Sequence, residues 1–218
     1  MYSRQSPSKR YQELIEQNRR LHLQGAPAQG LPPELSFPGK SIFRQLPHIK
    51  RLVEATASVS LLDYGCGKGQ QYEAQSINVN GAQLDATVQD FLDVDYIYCY
   101  DAAYPMYTKL PSGKFDGVIS TDVLEHCPED DLPWIIDEMF SYANRFVFAS
   151  VAGFPAAKTL PNGENAHCTQ LDPKWWNDTF TEAAARHANV TWEVWHSSLI
   201  ELNGQRRFDD VRLGNSGR

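Results

Sequence analysis

Three glycines follow the end of a short apolar run in the segment LLDYGCGKGQQY, residues 61–72. Gly65, Gly67 and Gly69 alternate with other residues, and Asp63 stands two positions before the first of them. Glycine lets the backbone turn sharply and lie close to a ligand, because it has no Cβ atom. The apolar run predicts a buried strand, and ligands of open parallel sheets bind beyond the carboxyl ends of the strands. The segment therefore indicates a ligand-binding loop at such an end.

A dinucleotide-binding loop is one alternative for this segment. Its pattern is G-x-G-x-x-G, and the third glycine would fall at Gln70, which weakens the case for a nicotinamide-dependent reductase. The observed pattern from Asp63 to Gly69 is D-x-G-x-G-x-G, and it resembles the first motif of class I S-adenosylmethionine-dependent methyltransferases. A second segment, FDGVISTDVLEHCPEDD at residues 115–131, is similar to the fourth-strand motif of the small-molecule branch, which contains the ubiquinone-pathway O-methyltransferases.

The resemblance implies S-adenosyl-L-methionine as the cofactor and assigns roles to several residues. The three glycines would let the main chain pass under the methionine portion, and Asp63 would hold its ammonium group or fix the turn. Asp101, which closes the next predicted strand, matches the acidic residue that accepts hydrogen bonds from both ribose hydroxyls. A carboxylate suits that role because it offers acceptor oxygens and no donor. Asp122, at the end of the third predicted strand, lies at the same rim and completes the expected cofactor-binding set.

The spacing around Asp101 departs from the family pattern. Asp101 lies 38 residues after Asp63, whereas the comparable dinucleotide-binding spacing is about 20, so residues 72–92 are interpreted as an insertion. Phe115 follows Asp101 by only fourteen residues, too few for a crossover unit of roughly thirty. We therefore expect one edge strand of the family sheet to be missing. The loop AAYPMYTKLP would then either cover the sheet edge or contact the adenine through Tyr104, Met106 or Tyr107.

Two histidines are candidates for the catalytic step. Methyl transfer is an in-line displacement that requires a positioned nucleophile and exclusion of water, with a base only where the acceptor must lose a proton. His126 is the first choice because histidine titrates near neutrality, although it also suits a role in capping the next helix. His167, on the long loop after the fourth strand, corresponds to a substrate-side histidine of related enzymes, or else faces solvent. Asp122, Glu125 and His126 also resemble a divalent-cation site of some ubiquinone-pathway members, but we expect no metal.

The elements that must position these residues alternate, from residue 59 onward, between short apolar strands and amphipathic helices. This alternation predicts an α/β fold, Rossmann-like and doubly wound, with a mainly parallel sheet and antiparallel C-terminal edge strands that turn at Asn203-Gly204. Residues 1–58 are predicted to form an N-terminal helical lid, and residues 59–211 the S-adenosylmethionine-binding domain. Strands are expected at VSLLDY, DYIYCYD, KFDGVIST and RFVFASVAG, and helices at Ser8–Leu23, SIFRQLPHIKRLVEAT, AQLDATVQDFL, PEDDLPWIIDEMFSYA and DPKWWNDTFTEAAARHA.

Composition narrows the class of protein. A chain of 218 residues with 42% hydrophobic residues suffices for one core, and its four cysteines lack a paired CxxC spacing, which favours free thiols in a reducing cytoplasm. No apolar stretch approaches about eighteen residues, so no membrane partner is expected. A net charge of -7 disfavours nucleic acid. We expect a cytoplasmic methyltransferase with a small-molecule acceptor, preferably an oxygen; the alternative is a non-catalytic cofactor-binding module or partner subunit.

Overall fold

The computed structural model describes residues 2–202 and 204–216. Its strands are β1 (Ser60–Tyr64), β2 (Ile77–Val79), β3 (Ala82–Leu84), β4 (Tyr96–Tyr100), β5 (Phe115–Thr121), β6 (Ala143–Ala152), β7 (Thr191–Leu202) and β8 (Gln205–Gly214). Its α-helices are α1 (Lys9–Gln24), α2 (Ile42–Thr56), α3 (Val88–Leu92), α4 (Leu132–Tyr142) and α5 (Pro173–Ala184).

Six strands form one sheet in the order β4-β1-β5-β6-β7-β8. The first five are parallel neighbours, whereas β7 and β8 pair antiparallel. The predicted Rossmann-like, mainly parallel sheet is thus confirmed. The centres of β1, β5 and β6 are apolar because helices cover both faces of the sheet. Of the predicted turn between β7 and β8, Gly204 has a φ of 73° and Asn203 lies outside the described residues.

The two faces of the sheet have separate cores. On one face, Phe140 of α4 and Trp176 of α5 pack with Val147 and other residues of the central strands. On the other face, the apolar stripe of α2 packs with α3 and with Leu61 and Phe146. Pro47 lies inside α2, which begins at Ile42. The region 1–58 therefore contains two helices with different positions. The helix α2 covers one face of the sheet, whereas α1 lies at the carboxyl ends of the strands.

One predicted helix is wrong over half of its length. The segment AQLDATVQDFL was expected to be helical throughout, but Ala82–Leu84 is strand β3, paired antiparallel with β2. The intervening Asn80 and Gly81 both have positive φ angles, 52° and 84°, which is the conformation of a two-residue hairpin turn with Asn-Gly. The helix begins only after Thr87, whose side chain accepts from the Asp90 N–H in a capping box.

The sheet ends at β4, as the short spacing after Asp101 predicted. Between β4 and β5 the described chain forms only a 3-10 turn, Pro105–Tyr107, and no strand. No helix in the described part of the chain is long and apolar enough to span a membrane.

The N-terminal helix α1 crosses the carboxyl ends of the strands. It begins at Ser8, whose Oγ accepts from the Tyr11 N–H, and Asp131 in turn accepts from the Ser8 N–H. Before the helix, Arg4 forms an ion pair with Glu138 and donates to the hydroxyls of Tyr64 and Tyr100, each at 2.8 Å. These contacts attach the N-terminal segment to the ends of β1 and β4.

Candidate active site

A cavity of about 370 Å³ lies beyond the carboxyl ends of β1, β4 and β5. The size falls within the range of small-molecule sites, about 300–1,000 Å³. The helix α1, the segment Phe37–Ser41 and the loop after β6 close it. Six of the eight predicted site residues line it, namely Gly65, Gly67, Asp101, Asp122, His126 and His167.

Asp63 does not line the cavity. Its buried carboxylate accepts from the Tyr72 hydroxyl at 2.8 Å and from Gln71 Nε2 at 3.2 Å, while Oδ1 has no partner among the described residues. Burial raises the pKa of Asp63 to about 7, against the effect of these two donors. Of the two predicted roles for this residue, the structure therefore favours fixing the turn over holding an ammonium group.

The glycine-rich loop packs against other parts of the same chain. All three glycines have positive φ angles. A Cβ atom at Gly65 would lie 2.5 Å from the Val123 side chain, one at Gly67 would lie 2.5 Å from the Phe37 carbonyl oxygen, and one at Gly69 would lie 2.8 Å from the Tyr107 hydroxyl. The fold itself thus requires glycine at these positions. The cavity touches the loop only at Gly65 and Gly67, and Gly69 lies outside it.

Asp101 holds the loop in place from the end of β4. Its Oδ1 accepts from the backbone N–H groups of Ala103 and Tyr104 at 2.8 and 2.9 Å, and its Oδ2 accepts from the Gly67 N–H at 3.0 Å. Burial raises the pKa of Asp101, and these three donors lower it. A carboxylate has about four acceptor positions, so one remains. Asp101 can therefore accept from one ligand hydroxyl, whereas the sequence predicted two.

His126 and His167 come together at the cavity, with ring centroids 4.9 Å apart. The Nδ1 atom of each lies 2.7 Å from a backbone carbonyl, that of Ala166 for His126 and that of Phe154 for His167. Because a carbonyl oxygen only accepts, Nδ1 carries the proton in both rings, and each Nε2 keeps its lone pair. Both imidazoles can accept a hydrogen bond from a ligand.

The two histidines differ in basicity. Burial, together with His167 and Lys158, lowers the pKa of His126 to about 3, although the Ala166 carbonyl acts in the opposite direction. Burial also lowers the pKa of His167, but the Phe154 carbonyl and the negative charge of Asp122 oppose that effect. A general base works best with a pKa near the working pH. His167 is therefore better suited than His126, the first choice from sequence, to take up a proton.

The side chains of Asp122 and Glu125 lie in different surroundings. Asp122 is exposed, has a φ of 55°, and Ser150 donates to its Oδ1 at 2.7 Å. Glu125 is completely buried, and its Oε1 accepts from the Ala152 N–H at 2.9 Å. Burial raises the pKa of Glu125 well above its usual value. No group of three potential metal ligands occurs in residues 2–202 and 204–216, so the alternative of a cation at Asp122, Glu125 and His126 gains no support.

Sequence reasoning missed several polar residues that line the cavity, among them Asn18 and His22 on α1 and Lys158 on the loop after β6. His22 is buried, and its pKa is lowered to about 3 by burial and by nearby cations. Lys158 makes no ion pair within the described chain, and burial lowers its pKa. The polar positions of α1 were visible in the sequence. Their location opposite Asp101, about eighty residues away along the chain, was not.

Of the loop at residues 102–111, Ala102 and Ala103 line the cavity, whereas the three side chains considered for contact with the adenine, Tyr104, Met106 and Tyr107, do not. Met106 is 71% exposed, and the Tyr107 ring packs on Gly69. Tyr104 stacks on His22, with ring centroids 5.1 Å apart, but it does not line the cavity. In place of this loop, α1 covers the region next to the end of β4.

No protein-family model matches the chain, and no curated protein sequence is significantly similar to it. The chemistry of the site must therefore be judged from its residues. Within the described residues it offers glycine backbone, one remaining acceptor position at Asp101, an exposed carboxylate at Asp122, a Lys158 ammonium without an ion-pair partner, and two neutral imidazoles whose Nε2 atoms can accept.

Proposed function

We propose that this protein is a cytoplasmic S-adenosyl-L-methionine-dependent methyltransferase of the class I superfamily that acts on a small molecule, preferably at an oxygen. The observation that carries the proposal is the cavity at the carboxyl ends of β1, β4 and β5, because four residues from two separate motifs line it together with Asp101 and His167. Ligands of open α/β sheets bind at this position.

The residues of the cavity match the chemical groups of such a cofactor. Asp101 accepts from one ribose hydroxyl beside the Gly67 backbone. Asp122, which is exposed in the cavity, takes over from Asp63 the binding of the ammonium group. Lys158 pairs with the carboxylate of the methionine portion, since it lacks an ion-pair partner in the described chain. The pairings at Asp122 and Lys158 place opposite charges together in a partly dehydrated site, where ion pairs are stronger than in water.

The cofactor, when bound, supplies an electrophilic methyl group on a sulfonium sulfur. The chain's own task is to orient the acceptor and to receive its proton. His167 Nε2 accepts the hydrogen bond from the acceptor hydroxyl and takes the proton, while its Nδ1–H stays bound to the Phe154 carbonyl. His126 is neutral because of its low pKa, and its Nε2 orients the methyl acceptor by accepting from a second donor group of that molecule. The apolar residues of α1 and Phe37 exclude water.

Calorimetry and turnover measurements test the proposal together. Titration with S-adenosylhomocysteine should show saturable binding, and titration with NAD(H) should show none. With a pool of small hydroxylated acceptors and the methyl donor, the protein should release S-adenosylhomocysteine. His167→Asn should keep cofactor binding but lower turnover by about a hundredfold, the typical contribution of a general base.

His48→Asn is the matched control, since His48 stacks on Trp195 and does not line the cavity. It should leave both binding and turnover unchanged. Absence of S-adenosylhomocysteine binding to the wild type would refute the proposal. Binding without turnover on any acceptor would instead support the alternative of a non-catalytic binding module or partner subunit.

A further inference from the structure

The hairpin of β7 and β8 projects beyond the rest of the sheet. Strand β6 pairs with β7 only as far as Ser197, whereas β8 pairs with β7 as far as Leu202. Residues 199–202 of β7 and residues 205–212 of β8 are exposed. A two-stranded ribbon is only marginally stable in water without a third strand or a packed face. The projecting part of the hairpin therefore lacks the contacts that usually stabilise such an element.

The same hairpin carries a concentration of exposed apolar side chains. Of the eleven large apolar side chains that are exposed in the described part of the chain, five belong to β7 and β8, namely Leu199, Ile200, Leu202, Phe208 and Val211. Phe208 is 55% exposed, although Arg44 and Phe154 pack on its ring. Exposed apolar groups that cluster among polar ones mark surfaces for protein interaction.

The outer edge of β8 is open. This strand is the last in the sheet, and β7 is its only neighbour among the described residues. An open edge presents backbone N–H and C=O groups to which a strand of another chain can pair. Charged side chains on an edge strand often prevent such pairing. The arrangement of the charges on β8 therefore decides whether the edge repels or accepts a partner strand.

The charges of β8 are complementary to themselves. The strand contains the segment RRFDD, residues 206–210, with two positive residues before Phe208 and two negative residues after it. In an antiparallel pair of two such strands centred on Phe208, Arg207 of one copy lies opposite Asp209 of the other, and position 206 lies opposite position 210. Each arginine thus faces an aspartate. A shift of two residues in either direction would instead place two like charges opposite each other, Arg207 against Arg207 or Asp209 against Asp209.

The central pair of charges is available for such a contact. Neither Arg207 nor Asp209 forms an ion pair within the described residues, and Arg207 donates only to the Gln205 side chain, at 3.4 Å. Asp210 already accepts from the Ser197 hydroxyl at 2.7 Å and forms an ion pair with Arg44, but 32% of its side chain is exposed. The contact between positions 207 and 209 is therefore new, whereas an arginine opposite Asp210 would extend an existing network.

We propose that β8 is the subunit interface of a symmetric homodimer, in which two copies of the strand pair antiparallel about Phe208 and the two sheets become continuous. A two-fold interface uses the same surface on both copies, so each contact between positions 207 and 209 occurs twice. The partner is a second copy of this chain because the charges of the strand complement its own sequence. The interface lies outside the cavity and does not depend on the proposed cofactor.

Charge reversal combined with sedimentation velocity tests the proposal. The wild type should dimerise, and Arg207→Asp and Asp209→Arg should each weaken the dimer by at least about tenfold, because either change places like charges opposite each other twice. An equimolar mixture of these two variants should dimerise like the wild type, since in the mixed dimer both facing pairs again have opposite charges. Lys114→Asp is the matched control, with the same change in net charge at an exposed position before β5, and it should keep the wild-type dimer.

Cysteine cross-linking tests the register of the two strands. Residues directly opposite each other in an antiparallel pair have Cα atoms about 4.5–5.5 Å apart, a separation that a disulfide can span. Mild oxidation of Phe208→Cys should therefore give a covalent dimer on a non-reducing gel. Gln205→Cys lies on the same strand but would face Val211 of the other copy, so it should give none. The wild type, with its four free cysteines, sets the background.

The outcomes that would overturn the proposal are distinct. A wild type that remains monomeric at about 100 µM would refute it, because specific interfaces of standard size bind with about micromolar affinity or better. A dimer that neither charge reversal weakens, or a mixture that fails to recover dimerisation, would place the interface elsewhere. If a charge-reversal variant does not fold by circular dichroism, cross-linking decides, and Phe208→Cys without a covalent dimer above the wild-type background would rule out this register.

Discussion

The buried carboxyl group of Asp63 should make the stability of the protein depend on pH. The pKa of Asp63 rises from 3.8 to about 7 in the folded protein, mainly because of burial. Between these values the unfolded chain has lost the proton that the folded chain keeps. The contribution of Asp63 is therefore fully present below about pH 4, is lost as the pH rises, and stays lost above about pH 7.

The magnitude follows from the number of protons involved. One proton per molecule corresponds to about 1.36 kcal/mol for each pH unit. Because Asp63 is half ionised at pH 7, the free energy of unfolding should fall by about 2.3 kcal/mol between pH 5 and pH 7 from this group alone. The buried histidines have lowered pKa values and act in the opposite direction over the same range. The wild-type curve by itself thus mixes several groups, and a variant without the ionisable group at residue 63 is needed.

Asp63→Asn removes the titration and keeps an oxygen that can accept from Tyr72 and Gln71. Urea unfolding, followed by tryptophan fluorescence, gives the free energy of unfolding of both proteins at pH 5, 6, 7 and 8. Relative to the wild type, Asp63→Asn should become more stable by about 2.7 kcal/mol between pH 5 and pH 8. Asp95→Asn, at an exposed position, should show no such trend.

A constant difference between Asp63→Asn and the wild type at all four pH values would refute the reasoning, because Asp63 would then be ionised throughout. The same variant tests the functional role of this residue. Because Asp63 lies outside the cavity, Asp63→Asn should bind S-adenosylhomocysteine with an affinity close to that of the wild type. A large loss of binding would restore Asp63 as a ligand for the ammonium group.

Three further perturbations have defined outcomes. Gly67→Ala should lower the free energy of unfolding by about 1–2 kcal/mol or more in urea, because φ is 61° and the new Cβ would meet the Phe37 carbonyl; Gly113→Ala, with open space around it, should be nearly neutral. Arg4→Ala should cost about 2–3 kcal/mol in the same assay, less than a fully buried pair because 24% of the Arg4 side chain is exposed, and a loss below about 0.5 kcal/mol would contradict the proposed attachment of the N-terminus. Burial alone would raise the pKa of Glu193, but hydrogen bonds outweigh it and lower this pKa to about 2. Glu193 therefore stabilises the protein above about pH 4.5, and this stabilisation is lost as the pH falls toward 2. Glu193→Gln should show a flatter acid unfolding curve than the wild type.

The fold could be read from the sequence wherever short-range patterns decide the structure. The helix α5 is an example, since Asp172 and Pro173 signalled its start and the Asp172 side chain accepts from the Trp175 N–H at 2.9 Å. The hairpin β2–β3 shows the limit of this reasoning. The Asn80-Gly81 pair is a hairpin signal, but the prediction rested only on the helical spacing of the apolar residues from 84 to 92.

The sequence predicted most of the residues of the candidate site, but not the role of each residue. Six of the predicted residues do lie around one cavity, namely Gly65, Gly67, Asp101, Asp122, His126 and His167. The roles of some of them changed because their hydrogen bonds come from distant segments. The pairing of His126 with the Ala166 carbonyl, forty residues away, fixes its tautomer and contributes to its burial, and neither effect is visible in the local sequence.

The sequence alone determined the alternation of strands and helices and the carboxyl-end position of the glycine-rich loop at residues 65–69, because these depend on periodicity and on local turn signals. Only the tertiary structure decided that Phe37 and Tyr107 pack on that loop, that Asp63 faces the interior, and that α1 closes the cavity. Burial and hydrogen-bond satisfaction depend on segments brought together from far apart in the chain. They therefore decide which polar groups remain available to a ligand.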